Sequence, residues 1–275
     1  MKLDRIFCVI DPTTNNQRAL DRARFIASGN NAHIHAYICI ATPMADAAED
    51  RRALQEAEVA RHEAWLERLV APLREEGREV TTEVECRDEW RDALAPAAER
   101  AGADLIIKSA YRRSALRRRL LKTSDFILLR SANCPVLLVK TDRIGKLDRV
   151  LAAVNISAED DAHRQLTDRV IDIARTVAET ADAELHCVNA YSGSLNFVHP
   201  PDVAKRAGIE RRQAHVGDAE PAELIAQVAA KIEAPLVVIG SVARGGVSGA
   251  VVGNTAEKIL DTVPADILTI VTPRS

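Results

Sequence analysis

RIFCVID at residues 5–11 and RVLAAVN at residues 149–155 are two versions of one short pattern, an apolar run followed by a polar loop and a helical segment. Further matches follow in the same order along the chain: HIHAYICI (33–40) with ELHCVNAY (184–191), and DLIIKSA (104–110) with LVVIGSV (236–242). Self-similarity over half a chain indicates an internal duplication. Each half is therefore expected to repeat one fold.

Within each half, short apolar runs alternate with amphipathic helical patterns, which predicts a parallel sheet with helices on both faces. The predicted fold class is α/β, with two tandem doubly wound domains at residues 1–142 and 148–275. Five strands are predicted in each half, at residues 5–11, 34–40, 80–86, 104–109 and 136–140, and at residues 149–155, 184–190, 210–216, 236–240 and 267–271.

The last part of each half aligns without a gap at an offset of 132 residues, which places Lys108 on Gly240, Leu121 on Gly253 and Ile127 on Ile259. The short polar linker between the halves cannot let the domains move far apart, so we expect them to touch.

The halves differ in the crossover between their second and third strands. The first half has a long charged helix at residues 47–76, with a kink expected at Pro72. Its predicted buried stripe is Leu54, Ala57, Ala64, Leu69 and Leu73. The second half has only residues 191–209, with room for a two-turn helix near 202–207. This segment is either a compact loop packed on the sheet, which we favour, or an exposed apolar groove for a ligand, a lipid or a partner.

Composition narrows the class of protein. The chain has 275 residues, of which 47% are hydrophobic and 28% charged, as expected for a globular protein of two-domain size. A net charge of −3 gives no overall attraction to nucleic acid or to an anionic membrane, and no apolar run is long enough to span one. Charges near the start argue against a signal peptide, so we expect a cytoplasmic protein. Its five cysteines are scattered singly and are expected to be reduced core residues.

The segment VVIGSVARGGVSGAVVGNTAEKIL, residues 237–260, carries the clearest functional pattern. A buried strand leads into a loop of glycine and small residues, and a helix begins at Asn254 or Thr255. Glycines let backbone amides approach phosphate oxygens, and the helix N-terminus adds a partial positive charge. Tight turns also need glycine, so the spacing carries the argument.

The spacing of Gly240, the small residue Ala243, and Gly253 followed by Asn254 and Thr255 resembles the G-x2-G-x9-G-[ST] loop of the universal stress proteins. The resemblance covers the whole chain twice, as in the tandem-domain (E-type) members of that family. It implies an adenine nucleotide alpha hydrolase-like fold, with each five-stranded parallel sheet in the order 3-2-1-4-5. It also implies that the domains pair through their last strands, with residues 136–140 beside residues 267–271. Further assembly into a homodimer stays open.

In that family an aspartate after the first strand lies near the adenosine, and the glycine loop holds the ribose and phosphates. The resemblance therefore implies a nucleotide or phosphate site made of Asn155, Gly240, Ser241, Ala243, Arg244, Gly253, Asn254 and Thr255, with ATP and Mg²⁺ as the expected ligands. Asn155, Ala243 and Asn254 replace the family's aspartate, glycine and serine. An asparagine can still bond a hydroxyl or a base edge.

The first half keeps the aspartate of the family pattern but lacks its glycine loop. Asp11 is kept after its first strand, but the glycine loop is replaced by KSAYRRSALRRRLLK, residues 108–122, with seven basic side chains and no glycine. A vestigial site would comprise Asp11, Arg112 and Arg113. Two alternatives for the basic segment are a solvated helix start and a surface that meets an acidic patch.

Three other groups are candidate sites. His33 and His35 alternate on a strand, which is compatible with a metal site, although a structural role is favoured. His186, His199 and His215 lie at or near the ends of elements of the second half, and convergence near the shortened crossover is an open alternative. The acidic residues Glu159, Asp160 and Asp161 are candidates for binding Mg²⁺ with a triphosphate, but an acidic helix start is the commoner reason for such a cluster.

The leading hypothesis is a stress-response module that binds an adenine nucleotide or another phosphorylated ligand without turnover. No pattern for a catalytic nucleophile, P-loop or dinucleotide site is present. One alternative is a weak ATPase that uses the same loop. The other is a nucleotide-free interaction protein that acts through residues 112–119 or through the second crossover.

Overall fold

The computed structural model describes residues 3–44, 48–110, 124–142, 145, 147–241 and 254–271, with the backbone alone at 254, 255 and 257. The first domain contains five strands and four helices within these residues. In chain order they are β1 (Arg5–Val9), α1 (Arg18–Asn30), β2 (His33–Ala41), α2 (Ala48–Glu75), β3 (Val80–Arg87), α3 (Trp90–Arg100), β4 (Leu105–Ser109), α4 (Ser124–Ser131) and β5 (Val136–Val139).

The second domain repeats this order within its described residues. Its elements are β6 (Arg149–Ala153), α5 (Asp161–Ala181), β7 (Glu184–Tyr191), α6 (Pro200–Ala207), β8 (Ala214–Asp218), α7 (Pro221–Lys231), β9 (Leu236–Ser241), α8 (Asn254–Thr262) and β10 (Asp266–Val271). Helices α1 and α5 both end at a residue with positive φ, Asn31 and Asp182. These short polar side chains tolerate the left-handed conformation that ends a helix.

The described strands form one ten-stranded sheet in the order β3-β2-β1-β4-β5-β10-β9-β6-β7-β8. Each domain therefore has the order 3-2-1-4-5 counted from its own first strand, as predicted. Neighbours within a domain are parallel, whereas β5 and β10 are antiparallel, with Leu137 opposite Leu268. The pairing of the last strands joins the domains and removes two exposed sheet edges.

Helices cover both faces of this sheet. One face carries α1, α2, α5 and α6, whose buried side chains include Ala23, Leu66, Val170 and Val203. The other face carries α3, α4, α7 and α8. The outer strands β3 and β8 have half-exposed residues, and β3 carries Glu83 and Glu85. Charged side chains on an edge strand oppose pairing with another chain.

The predicted offset of 132 residues between the halves is wrong by one. Cys8 of β1 lies opposite Ile107, and its counterpart in the repeat, Ala152 of β6, lies opposite Val238. The offset from β4 onward is thus 238 minus 107, or 131, and Ser109, not Lys108, corresponds to Gly240. A slip of one residue moves every side chain to the other face of a sheet.

The predicted buried stripe of α2 is also mostly wrong. Leu54, Ala57 and Ala64 are exposed and Leu69 is half-buried, so that only Leu73 of the predicted set is buried. The side chains buried against the sheet are His62, Leu66, Val70 and Leu73. The helix extends through Pro72, and its 28 residues exceed the length of the strands on which it packs.

The second crossover is compact, which is the alternative we favoured. Val203 and Ala207 of α6 are fully buried against the sheet. Leu195 and Phe197, which precede α6, are exposed. The predicted strand at 210–216 begins instead at Ala214, because residues 211–213 form a 3₁₀ turn in which Gln213 Oε1 accepts from Glu210 N at 2.8 Å.

All five cysteines are free thiols, and three of them, Cys8, Cys39 and Cys187, are buried. Burial raises the pKa of Cys187 to about 12 and that of Cys39 to about 11. These thiols stay protonated at neutral pH, as a core role requires. Among the helices that the structure describes, none has the length and apolar character needed to cross a membrane.

Candidate functional site

The second domain has a crevice at the carboxyl ends of β6 and β9. These strands are neighbours, but the chain leaves β6 for α5 on one face and leaves β9 for α8 on the other. Helices that diverge in this way leave a gap at the edge of the sheet, and ligands of open α/β sheets bind at such points. The topology therefore provides a candidate site without reference to any motif.

A cavity of about 280 Å³ fills this crevice. Three residues of the predicted site, Asn155, Gly240 and Ser241, line it together. Most of the remaining lining is aliphatic and comes from both faces of the sheet: Val154, Leu166, Val170, Val188, Ile225, Ile239 and Ile259. Such a lining suits a flat or apolar group whose polar edge meets Asn155.

Gly240 is required by close packing. A Cβ atom at this position would lie 2.6 Å from Leu166 Cγ, which is shorter than any normal contact. Leu166 extends from α5 over the end of β9 and forms one wall of the cavity. The glycine therefore lets α5 approach the strand closely.

The loop that carries Asn155 is held from two sides. Thr167 Oγ1 donates to the backbone oxygen of Asn155 at 3.0 Å, and Ile156 N donates to Asn189 Oδ1 at 2.9 Å. Asn189 is fully buried in β7, where a polar residue interrupts an otherwise apolar strand. That interruption was the available signal for Asn189, which sequence reasoning missed.

His163 lines the cavity and is a second residue that sequence reasoning missed. It lies in the first turn of α5, and its Nδ1 is 2.7 Å from Asp160 Oδ2. Asp160 is the N-cap of the helix, and its bonds with the backbone and side chain of His163 hold the pKa of its carboxyl below the usual range. Asp161 pairs with Arg164. These two carboxylates therefore serve the start of the helix.

Several predicted residues lie outside the part of the chain that the structure describes: Ala243, Arg244 and Gly253 in the second domain, and Arg112 and Arg113 in the first. Asn254 and Thr255 are the first two residues of α8, which agrees with the predicted helix start.

The first domain has the same strand topology, but side chains close its crevice. Asp11 accepts from Thr13 N at 2.9 Å and so forms a local turn. The buried Gln17 donates from Nε2 to the backbone oxygens of Asp11 and Thr14, both at 2.6 Å. Ser109, the counterpart of Gly240, accepts from Ala19 N at 3.1 Å. The polar groups at this strand end are therefore engaged with one another.

At three matched positions the first domain has a larger or charged side chain, and these side chains fill its crevice. Strand register matches Tyr37 with Val188, and the offset of 131 matches Lys108 with Ile239 and Asp125 with Ala256. Lys108 Nζ lies 2.6 Å from Asp125 Oδ1 and also donates to the backbone oxygen of Ser109 at 3.1 Å. Tyr37 is fully buried, and burial raises the pKa of its hydroxyl.

The histidines come together in pairs. His186 Nδ1 and His215 Nε2 are 3.1 Å apart and their rings stack, whereas His199 contacts Phe197 instead. His35 lies 3.0 Å from Glu83, and both His33 and His35 bond Thr81. Within the described residues, no three side chains of the metal-ligating types are arranged to hold an ion.

Comparison with known proteins gives one consistent result. The model of the universal stress protein family matches residues 2–140 and again residues 146–270. Universal stress protein E of Escherichia coli (strain K12) is 26% identical over an alignment covering 95% of this chain and 92% of that protein. A Haemophilus influenzae homolog of universal stress protein E is 24% identical, with 98% of each chain covered.

Solved structures agree over nearly the full length. A putative universal stress protein from Pseudomonas aeruginosa superposes with a TM-score of 0.78 at 32% identity, covering 98% of this chain and 93% of that one. A universal stress protein from Archaeoglobus fulgidus superposes with a TM-score of 0.77 at 16% identity, covering 98% and 96%. The second match shows a shared fold alone.

Proposed function

The chain belongs to the universal stress protein family, and from this premise we propose that its second domain binds a small phosphorylated ligand, an adenine nucleotide such as ATP with Mg²⁺, at the crevice beside Asn155 and Gly240. The observation that carries the proposal is the contrast between the crevices: the first is filled by Tyr37 and an ion pair, and the second holds a cavity of about 280 Å³. The protein acts by binding and not by turnover.

The chemistry of the lining supports this ligand class. The aliphatic wall made by Leu166, Val188 and Ile225 suits the faces of a purine ring. Asn155 Oδ1 accepts from Ser157 Oγ at 3.2 Å, which leaves its amide nitrogen to donate to a ring nitrogen or hydroxyl. The start of α8 faces the same end of the sheet and favours negative charge.

The proposal is tested by the thermal midpoint of the full chain with and without millimolar Mg-ATP. A ligand at a hundred times its Kd stabilises the native state by about 2.7 kcal/mol. The reciprocal double variant Ile239→Lys/Ala256→Asp places the ion pair of the first domain in the second crevice and should abolish the shift. The matched control, Lys108→Ile/Asp125→Ala, should leave the shift unchanged.

Gly253→Ala serves as a second test if the grafted ion pair prevents folding. No shift in the wild-type protein, or an equal shift in the grafted variant, would overturn the proposal. Magnesium-dependent phosphate release that the graft abolishes would point instead to a weak ATPase at the same crevice.

A further inference from the structure

A second cavity, of about 680 Å³, lies where the two domains meet. We call it the interdomain groove. Its walls are α1, which packs on β4 and β5, and α5, which packs on β9 and β10. Its floor consists of one leucine from each of the four central strands: Leu105, Leu137, Leu268 and Leu236. These four leucines are buried, with exposures of 3–6%, and form the apolar base of the groove between the two helices.

The two domains contribute equally to this groove. Leu137 and Leu268 face each other across the antiparallel pair. Leu105 and Leu236 are repeat counterparts, because they lie opposite Ile6 of β1 and Val150 of β6 respectively. The groove is thus formed by the pairing of the domains. It is also on the face opposite α8.

Three charged side chains line the groove: two of them pair with each other, and the third, Asp4, is exposed. Arg22 Nη2 of α1 lies 2.8 Å from Asp266 Oδ2, with side-chain exposures of 8% and 1%. The other oxygen of Asp266 accepts from the backbone nitrogens of Lys140 and Thr141. An ionic ligand would lose its water and find a carboxylate and a guanidinium that already neutralise each other.

The hydroxyls on the walls are also engaged. Ser28 donates to Phe25 O at 2.6 Å, Thr176 to Asp172 O at 2.9 Å, and Thr180 to Thr176 O at 2.7 Å. Each bond stays within its own helix. These hydroxyls therefore already have acceptors, and the walls also include the aliphatic side chains Ile26 and Val177.

We propose that the interdomain groove binds an uncharged, mainly aliphatic small molecule, independently of the phosphorylated ligand of the crevice. Its volume is within the range of ordinary ligand pockets, about 300–1,000 Å³. Apolar cavities of protein interiors exclude water and accept apolar molecules of matching size. Phe25, exposed to 39% at the rim, can cover such a molecule.

The test is isothermal titration calorimetry of the full chain with two probes of equal chain length, octan-1-ol and octanoate. We expect saturable binding of octan-1-ol with one equivalent per chain, and binding of octanoate that is weaker by about tenfold or more. Equal or tighter binding of octanoate would overturn the assignment of an uncharged ligand. Absence of saturable octan-1-ol binding would overturn the site.

Location is tested by filling the groove. Val177→Trp on α5 and Ile26→Trp on α1 should each weaken octan-1-ol binding by about tenfold or more. Leu54→Trp, on the exposed part of α2, is the matched control and should bind as the wild type does. Unchanged binding in both groove variants would contradict the proposal. A Val177→Trp variant that still responds to Mg-ATP would show that the two sites are separate.

Discussion

The crevices of the two domains have the same strand topology, but side chains fill the first one and leave the second one open. In the first domain, Lys108 and Asp125 form an ion pair across the crevice, whereas the second domain has Ile239 and Ala256 at these positions. The comparison teaches that the strand order creates a crevice in each domain, while a few side chains decide whether it stays open. The repeat thus contains the same crevice twice, filled by side chains in the first domain and open in the second.

A second asymmetry lies at the junction of the domains. Arg22 on α1 meets Asp266 at the start of β10. The repeat counterpart of Asp266 is Pro135, at the same offset of 131 that relates β4 to β9. One side of the junction is therefore held by a buried ion pair that the other side lacks.

The largest expected effect comes from breaking this junction. Asp266→Ala leaves Arg22 buried without its carboxylate and removes the acceptor of two backbone nitrogens. We expect a loss of about 3–5 kcal/mol, seen as a fall of about 10 °C in the thermal midpoint. The double variant Arg22→Met/Asp266→Asn should lose less. A fall of under about 2 °C in Asp266→Ala would show that the ion pair is not what holds the domains together.

The next effect concerns the closed crevice. Asp125→Ala leaves the Lys108 ammonium facing apolar neighbours, with side-chain exposures of only 13% and 23% for the wild-type pair. We expect a loss of about 1–3 kcal/mol in urea unfolding. Adding Lys108→Ile, which copies the second domain, should recover most of this loss. Additive effects of the two changes would contradict a coupled pair.

A smaller change in stability is expected from side chains on the outer strands, where the two domains differ. His186 and His215 occupy the positions that His35 and Glu83 occupy in the first domain. Burial lowers the pKa of His186, and burial together with the charge of His186 lowers that of His215.

Because the folded pKa values are lowered, the stability contributed by this neutral pair is complete above the unfolded pKa of about 6.5 and is lost as the pH falls below it. Glu184 opposes the lowering at His186, while Arg149 and Arg212 add to it; Lys231 adds to it at His215.

His215→Glu restores a histidine–carboxylate pair, so the fall in thermal midpoint between about pH 7.5 and 5.5 should shrink by about 2–3 °C. His199→Gln, at an exposed position, is the control and should keep the wild-type profile. An unchanged profile in His215→Glu would show that the pair does not control acid stability.

The repeat and the alternation of elements predicted two tandem α/β domains with parallel sheets. The strand order, the pairing of β5 with β10 and the meeting of Asn155 with Gly240 were predicted by the resemblance to the universal stress proteins. The register of β4 was not predictable, because a strand buried on both faces has no alternation to mark which side chain faces which helix. The closure of the first crevice follows from the same register: the offset of 132 matches Lys108 with Gly240 instead of Ile239, and its partner Asp125 is 17 residues away in another element.

The smallest change in stability is expected in α2, the helix of the first crossover. Helical periodicity predicted this helix but not which of its sides is buried. Leu54 was assigned to the buried stripe of α2 and is 46% exposed, whereas Leu66 is fully buried. The cause is length: a 28-residue helix extends beyond the sheet, and among the described residues the apolar Leu54 near its start stays exposed. The short α6 of the second domain has no such overhang.

Leu54→Ser should therefore change the free energy of unfolding by less than about 0.5 kcal/mol, while Leu66→Ala should cost about 2–5 kcal/mol. Urea unfolding of both variants measures the difference. A loss above about 1 kcal/mol in Leu54→Ser would mean that the first turns of α2 are covered in solution by a surface outside the residues that the structure describes. In that case the apolar periodicity of α2 would have been right to mark Leu54 as a buried position, because an apolar residue that is exposed in one chain can still be buried in an assembly.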